Sequence, residues 1–220
     1  MTADDIREKL VDAGVRLLER DGVQALSARN LAAEAGTSTM AVYTRFGGMP
    51  GVLEAVAGEI FARFADALTQ IPQTGDPVAD FLLMGAAYRE YALTHPQRYL
   101  LMFGTATPAS IAGSRADLTA TGEVSDRTEW AASFEALRTM VRRMIAAGRI
   151  RDDGEAAIAG RLWSLIHGEV MLELAGFFGA EGHGLTKILT PMTVDMLVGL
   201  GDDRARVEAS LTTAAEAHGR

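Results

Sequence analysis

The side chains able to do chemistry are thinly spread in this sequence. Its four histidines, His95, His167, His183 and His218, show no metal-ligand spacing. Without a cysteine there is no thiolate zinc cluster, disulfide framework or cysteine nucleophile. No Gly-x-Ser-x-Gly elbow, phosphate-cradling loop or paired-carboxylate motif appears, so no catalytic residue, metal or cofactor is assigned. Glu169 and Glu173, one helical turn apart, read as solvent or dimer contacts. Trp163 and His167 share the same spacing and read as a packed pair, with pocket lining as a second reading. His167, on an otherwise apolar helix, reads first as a hydrogen-bonded core residue. What remains is recognition chemistry around Gly36. Two short helices joined by a glycine turn describe a helix-turn-helix, whose second helix lies in the major groove. At 1.5 Å per residue that second helix is about 10 Å long, against a groove about 12 Å wide.

The elements that position these groups read as helices throughout. Hydrophobic residues make up 48% of the chain, and no run of alternating β-branched residues appears, so the fold class is all-α. Ile6, Leu10, Ala13 and Leu17 mark an amphipathic helix over 4–20, stopped near Asp21-Gly22. Ser27 caps a short helix that Gly36 ends. Thr37 or Ser38 caps a second, which Phe46-Gly47-Gly48 ends before Pro50. Leu31, Ala35, Val42 and Phe46 form the seam beneath the pair, and small Ala32 and Gly36 allow close approach. Longer helices follow over 51–69, from Pro77 with Asp76 as cap to Thr94, and over 128–147, 154–178 and 184–199, with a short one from Pro96 to near Gly104. The helix over 154–178 is apolar on more than one side and should be buried twice over. Residues 104–125 read as a loop with an early helical turn, and 201–220 as a polar tail. The division is 1–50 for the helix-turn-helix, 51–200 for the larger helical domain, and 201–220 for the tail.

Charge limits the partners. Twenty-one Lys and Arg against 29 Asp and Glu give −8, which excludes a protein that coats nucleic acid through overall basicity. Residues 1–50 carry a net −1 and residues 22–50 a net +1, so the acidity sits on the first helix, which need not face DNA. The acidic start, the missing cysteines and the lack of a long uncharged apolar stretch point to a cytoplasmic protein with no membrane span.

The stretch LSARNLAAEAGTSTMAVYTRFGGMPGVLEAV, residues 26–56, resembles the DNA-binding signature of TetR-type bacterial transcriptional repressors. Downstream, His95-Pro96, Tyr99, Met102-Phe103 and above all Trp163-x-x-x-His167-Gly168 resemble the subgroup named for its Trp, His, Gly (WHG) motif. The resemblance implies a homodimer on double-stranded operator DNA, with a C-terminal domain that binds a small apolar effector and dimerises through the helices near 154–178 and 184–199. It places Thr37, Ser38, Thr39, Met40 and Ala41 at the exposed start of the recognition helix, with Thr39 and Met40 towards base edges. It places Tyr43, Thr44, Arg45, Ser27 and Arg29 against phosphates. Met49 stands where most relatives carry Lys, which predicts a lost phosphate contact and weaker salt-dependent affinity.

Met and aromatic side chains adapt to apolar guests. On that ground Phe61, Phe64, Met84, Tyr88, Tyr91, Met102, Phe103, Phe134, Trp163 and His167 are expected around a ligand cavity. The reading is thus a ligand-released repressor, not an enzyme. The alternative is a helical small-molecule-binding module that has lost specific DNA binding.

Overall fold

The computed structural model describes residues 3–104, 107–179 and 181–219. Its helices are α1 Ala3–Asp21, α2 Ala28–Ala35, α3 Thr39–Phe46, α4 Met49–Thr69, α5 Pro77–Thr94, α6 Pro96–Phe103, α7 Ala109–Ala112, α8 Leu118–Thr121, α9 Thr128–Ala146, α10 Glu155–Leu174, α11 Thr190–Gly199 and α12 Arg204–His218. A 3-10 turn spans Val23–Ala25, and a π-helical turn at Leu185–Leu189 leads into α11. Among the described residues there is no strand, only an isolated bridge between Arg115 and Ser125.

Local chemistry explains most boundaries. Ser27 Oγ accepts the Asn30 N–H at α2, and Ser38, not Thr37, caps α3 by accepting from Ala41. Gly36 and Gly47 end these helices at φ 64° and 67°, a left-handed conformation that any Cβ would strain. Asp76 caps α5 through the Val78 and Ala79 amides, with Pro77 in the first turn where its missing N–H costs nothing.

One cluster of buried side chains runs from the helix-turn-helix into the larger bundle. Leu10, Leu18, Leu31, Val42, Val52 and Val56 continue into Ile60, Phe61, Phe64, Tyr88, Tyr99 and Trp130. Helix α4 is the shared member, packing on α1 and α3 at its start and on α5 and α9 along its length. Gly14 makes the α1–α4 approach possible, since a Cβ there would lie 2.5 Å from Val56 Cγ2. A second cluster joins α9, α10, α11 and α12 through Val141, Met144, Ile158, Leu162, Leu197 and Val207.

Two expectations are corrected. Residues 204–218 are not a polar tail but a helix that lies on α5 and buries Val207, Ser210 and Ala214. Arg149, itself buried, holds its start: Nε donates to both Asp202 oxygens (3.0 and 2.9 Å), Nη1 to Asp76 (2.9 Å) and Nη2 to Ser210 (3.1 Å). The stretch 104–125 contains two single-turn helices, α7 and α8, Asp117 capping the second. Helix α10 ends at Leu174, before Gly176 at φ 85°. Its inner face is buried, while Leu172 on α10, Phe177 beyond it, Ile188 in the π-helical turn and Met192 on α11 are exposed.

Candidate functional site

Helices α2 and α3 cross on α1 through Leu31, Ala32 and Val42, and this seam turns the other face of α3 outward. Met40 is 70% exposed and Tyr43 55% exposed, which neither would be if packing alone had placed them. Thr39, Ser38, Thr44, Arg45 and Arg29 are exposed with them, while Ser27 and Thr37 are half-buried. Among the described residues neither Arg29 nor Arg45 has a carboxylate partner, so both guanidinium groups are available to an anion. Thr44 Oγ1 donates to the Met40 carbonyl at 2.9 Å, which occupies its hydrogen within the helix. Arg7 lies over the Phe46 ring at 5.3 Å and ties α1 to the end of α3.

Two acidic side chains of α1 are engaged with other helices. Asp12 pairs with Arg63 of α4 at 3.2 Å, and Glu19 pairs with Arg98 of α6 and, at 3.0 Å, with Nδ1 of His95 just before it. Glu34 is held by Arg16 and Arg20, and their hydrogen bonds lower its pKa below the usual carboxylate value. Met49, at the position where the resemblance expects Lys, is half-buried against the core.

The second feature is an apolar cavity of about 420 Å³ inside the larger bundle. Phe61, Phe64 and Leu68 of α4 form one wall, Met84 and Tyr88 of α5 and Met102 and Phe103 of α6 a second, and Phe134 and Trp163 of α9 and α10 a third. Trp130 stacks on Phe61 at 5.3 Å between centroids, and Arg127 caps that indole at 4.8 Å while pairing with Glu54 of α4 at 2.8 Å. Of the sequence-predicted ligand residues, Tyr91 and His167 are not in the lining. Tyr91 is buried against Phe64, and its hydroxyl donates to the Ile60 carbonyl at 3.4 Å.

Behind the cavity wall lies a polar strip. Trp163 Nε1 donates to Tyr88 Oη at 3.2 Å, Tyr88 and Tyr99 hydroxyls are 2.8 Å apart, and Tyr99 Oη is 2.6 Å from His167 Nδ1. Trp163 and His167 also pack at 5.8 Å between ring centroids. Burial lowers the His167 pKa, which favours the neutral imidazole, and pushes both phenols up. Among the described residues no group of His, Asp or Glu could hold a metal ion, and no helix is long and apolar enough to cross a membrane.

Comparison with known proteins now decides the family. Residues 10–56 match the bacterial regulatory proteins of the tetR family, and residues 81–197, more than half of the chain, match the tetracyclin repressor-like C-terminal domain. The chain belongs to the TetR family. An uncharacterized HTH-type transcriptional regulator of Mycobacterium tuberculosis is 27% identical over 175 residues, 77% of this chain and 71% of that protein. The HTH-type nicotine-responsive transcriptional repressor of Paenarthrobacter nicotinovorans is 31% identical over 74 residues, 34% of this chain and 38% of the relative. A solved structure of a protein with unknown function from Rhodococcus sp. RHA1 superimposes with TM-score 0.68 at 26% identity, covering 90% of this chain and 96% of the other. This TetR-family chain is therefore a transcriptional regulator with an N-terminal helix-turn-helix and a C-terminal helical domain.

Sequence reasoning missed the carboxylates of α10. Glu173 is neither a solvent nor an exposed contact: its side chain is buried in an ion pair with Arg89. Glu169 is 3% exposed, and neither of its oxygens has a hydrogen-bond partner among the described residues. Burial pushes its pKa up, and the neighbouring Glu173 adds to the rise. A charged residue one position after a glycine on an apolar helix was the available signal, but one-turn periodicity does not separate the inner face of α10 from the outer.

Proposed function

We propose that this TetR-family regulator is a repressor that binds a palindromic operator as a homodimer and is released when a small apolar molecule enters the bundle. The DNA-binding unit is residues 1–50 and the effector and dimer unit is residues 51–200, with α12 completing the latter. Thr39 and Met40 meet base edges, and Tyr43, Arg45, Ser27 and Arg29 meet phosphates. The exposed Leu172, Phe177, Ile188 and Met192 form the apolar patch through which α10 and α11 meet a second copy. The Trp163, His167, Gly168 arrangement supports membership of the WHG subgroup, and a cytoplasmic location goes with operator binding.

The observation that carries the reading is the double role of α4. Its first half seats the helix-turn-helix through Val52 and Val56, and its second half walls the cavity through Phe61, Phe64 and Leu68. A guest that pushes on that wall tilts the helix on which its own protomer's DNA-binding unit stands, and a dimer must keep its recognition helices about 34 to 36 Å apart. Such coupling is typically about 1 to 3 kcal/mol and reciprocal, so operator DNA weakens effector binding by the same factor. Titration with a palindromic duplex from beside the encoding gene tests this. Binding no tighter than to random duplex at moderate salt overturns it.

A further inference from the structure

The polar strip behind the cavity has a direction. An indole N–H only donates, so Tyr88 Oη accepts from Trp163. The 2.6 Å separation of Tyr99 Oη and His167 Nδ1 suits O–H···N and is short for N–H···O. Tyr99 therefore gives its hydrogen to His167, and Tyr88 gives its own to Tyr99 across 2.8 Å. Tyr88 Oη also lies 3.3 Å from His167 Nδ1, so its hydrogen points into the strip whether Tyr99 or His167 receives it. The chain runs Trp163 to Tyr88 to Tyr99 to His167, and it leaves the Tyr88 oxygen with one unused lone pair and no hydrogen to offer the cavity. Tyr88 and Trp163 line the cavity, whereas Tyr99 and His167 stand outside it.

Trp130 Nε1 has no partner among the described residues, but the atom is sealed beside Gly58 of α4 and has no surface open to the cavity. Several other polar groups of the lining are committed. Thr193 Oγ1 donates to the Leu189 carbonyl at 2.8 Å and Ser125 Oγ to the Ser114 carbonyl at 2.8 Å. Arg115 Nη2 donates to the Met102 carbonyl and to Thr107 Oγ1. Around Tyr88 the wall is aromatic and aliphatic, formed by Phe64, Met84, Phe103 and Trp163.

We propose that the cavity selects apolar guests that carry a hydroxyl or N–H group, donated to Tyr88, over acceptor-only analogues such as ethers and ketones, and that His167 is the positioning residue that sets this preference from outside the cavity. The inference rests on the reading of the cavity as the effector site and gives that effector a chemical class. An acceptor-only guest sets lone pair against lone pair at Tyr88 in a wall that is otherwise apolar, and sites built around a buried hydrogen bond reject analogues that cannot make it. Replacing His167 with Phe removes the acceptor at the far end. Tyr99 can then donate to Tyr88, and the Tyr88 hydrogen turns toward the guest.

The test is calorimetric titration of the full chain with 2-naphthol, 2-methoxynaphthalene and naphthalene, with no DNA present. On the unmodified protein, 2-naphthol should bind on the order of tenfold tighter than its methyl ether, the worth of about one hydrogen bond. His167→Phe should erase that preference, because naphthol and ether oxygens can both accept from Tyr88, and Tyr88→Phe should leave the ligands ranked by hydrophobicity alone. Equal affinities for naphthol and ether on the unmodified protein, or selectivity unchanged in His167→Phe, overturn the donor rule while leaving the cavity as a binding site. If none of the three ligands binds, the effector-site reading falls with it. The unmodified protein and Tyr88→Phe decide the matter if His167→Phe does not fold.

Discussion

Arg149 makes the strongest claim on stability. Its guanidinium meets Asp202, Asp76 and Ser210, and the Asp202 side chain is fully buried while that of Asp76 is 28% exposed. Arg149→Met keeps the aliphatic stem and removes every one of these partners. Among the described residues Asp202 then keeps the hydrogen bond from the Asp203 amide at 2.9 Å and no other, and water reaches Asp76 more easily, so the loss is carried by Asp202. Breaking a buried pair in this way costs about 3 to 5 kcal/mol. For a chain of this length each kcal/mol moves the melting temperature by about 2 to 4 °C, so a fall of roughly 6 to 20 °C is expected. Urea unfolding followed by circular dichroism at one fixed protein concentration, together with a thermal melt, measures both quantities. Arg149→Met/Asp202→Leu, which removes the stranded charge as well, should recover most of the loss. A single-variant loss below about 1 kcal/mol would place the pair among ordinary surface ion pairs and refute the argument.

Four further outcomes follow from the same structure. Glu169→Gln should stabilise the protein increasingly as pH rises above the ordinary carboxylate value of 4.5: the raised folded pKa means that the native state holds the proton longer, so the unmodified protein loses stability as pH climbs through that window, and a difference that is flat with pH in paired urea titrations would contradict this. Asp76 works in the opposite sense: burial raises its pKa, but the hydrogen bond from Ser210, those from the Val78 and Ala79 amides and the charge of Arg149 outweigh it, so its contribution is present above 3.8 and lost as pH falls through the lowered folded value, and Ser210→Ala should shrink the acid-side slope of the same titrations. Gly14→Ala should cost about 1 to 3 kcal/mol by overpacking α1 against Val56, with Val56→Ala as the compensating change, and a melt equal to that of the unmodified protein would show that the seam can yield. Ser38→Ala removes the cap of α3, about 1 kcal/mol per protomer, and in a dimer using both recognition helices operator affinity should fall by up to roughly 30-fold; Ser38→Thr, which retains the cap, should not weaken it to that extent, and equal isotherms for all three proteins would detach α3 from DNA binding.

The sequence by itself determined the helices and the turn. Ser27, Gly36, Ser38, Gly47, Asp76 and Pro77 act through their own backbone neighbours, and the signals for cap, left-handed glycine and first-turn proline are local, so they are legible in one dimension. The outward face of α3 was also legible, because Leu31, Val42 and Phe46 leave Met40 and Tyr43 on the other side. The tertiary structure alone decided what each long helix turns inward. A polar, Ala-rich segment becomes α12 because Arg149, distant in sequence, supplies the charge that Asp202 and Ser210 require. Glu169 and Glu173 share a spacing and a chemistry, yet among the described residues one stands without a hydrogen bond and the other closes on Arg89, a partner contributed by a different helix. Tyr91 and Tyr88 share α5 and nearly the same face, but a rise of about 4.5 Å along the helix seals the first into the core and leaves the second at the cavity wall. Periodicity states that a helix has an apolar face; which neighbour covers it, and where the covering falls short and leaves a cavity, depends on the packing of all the helices together.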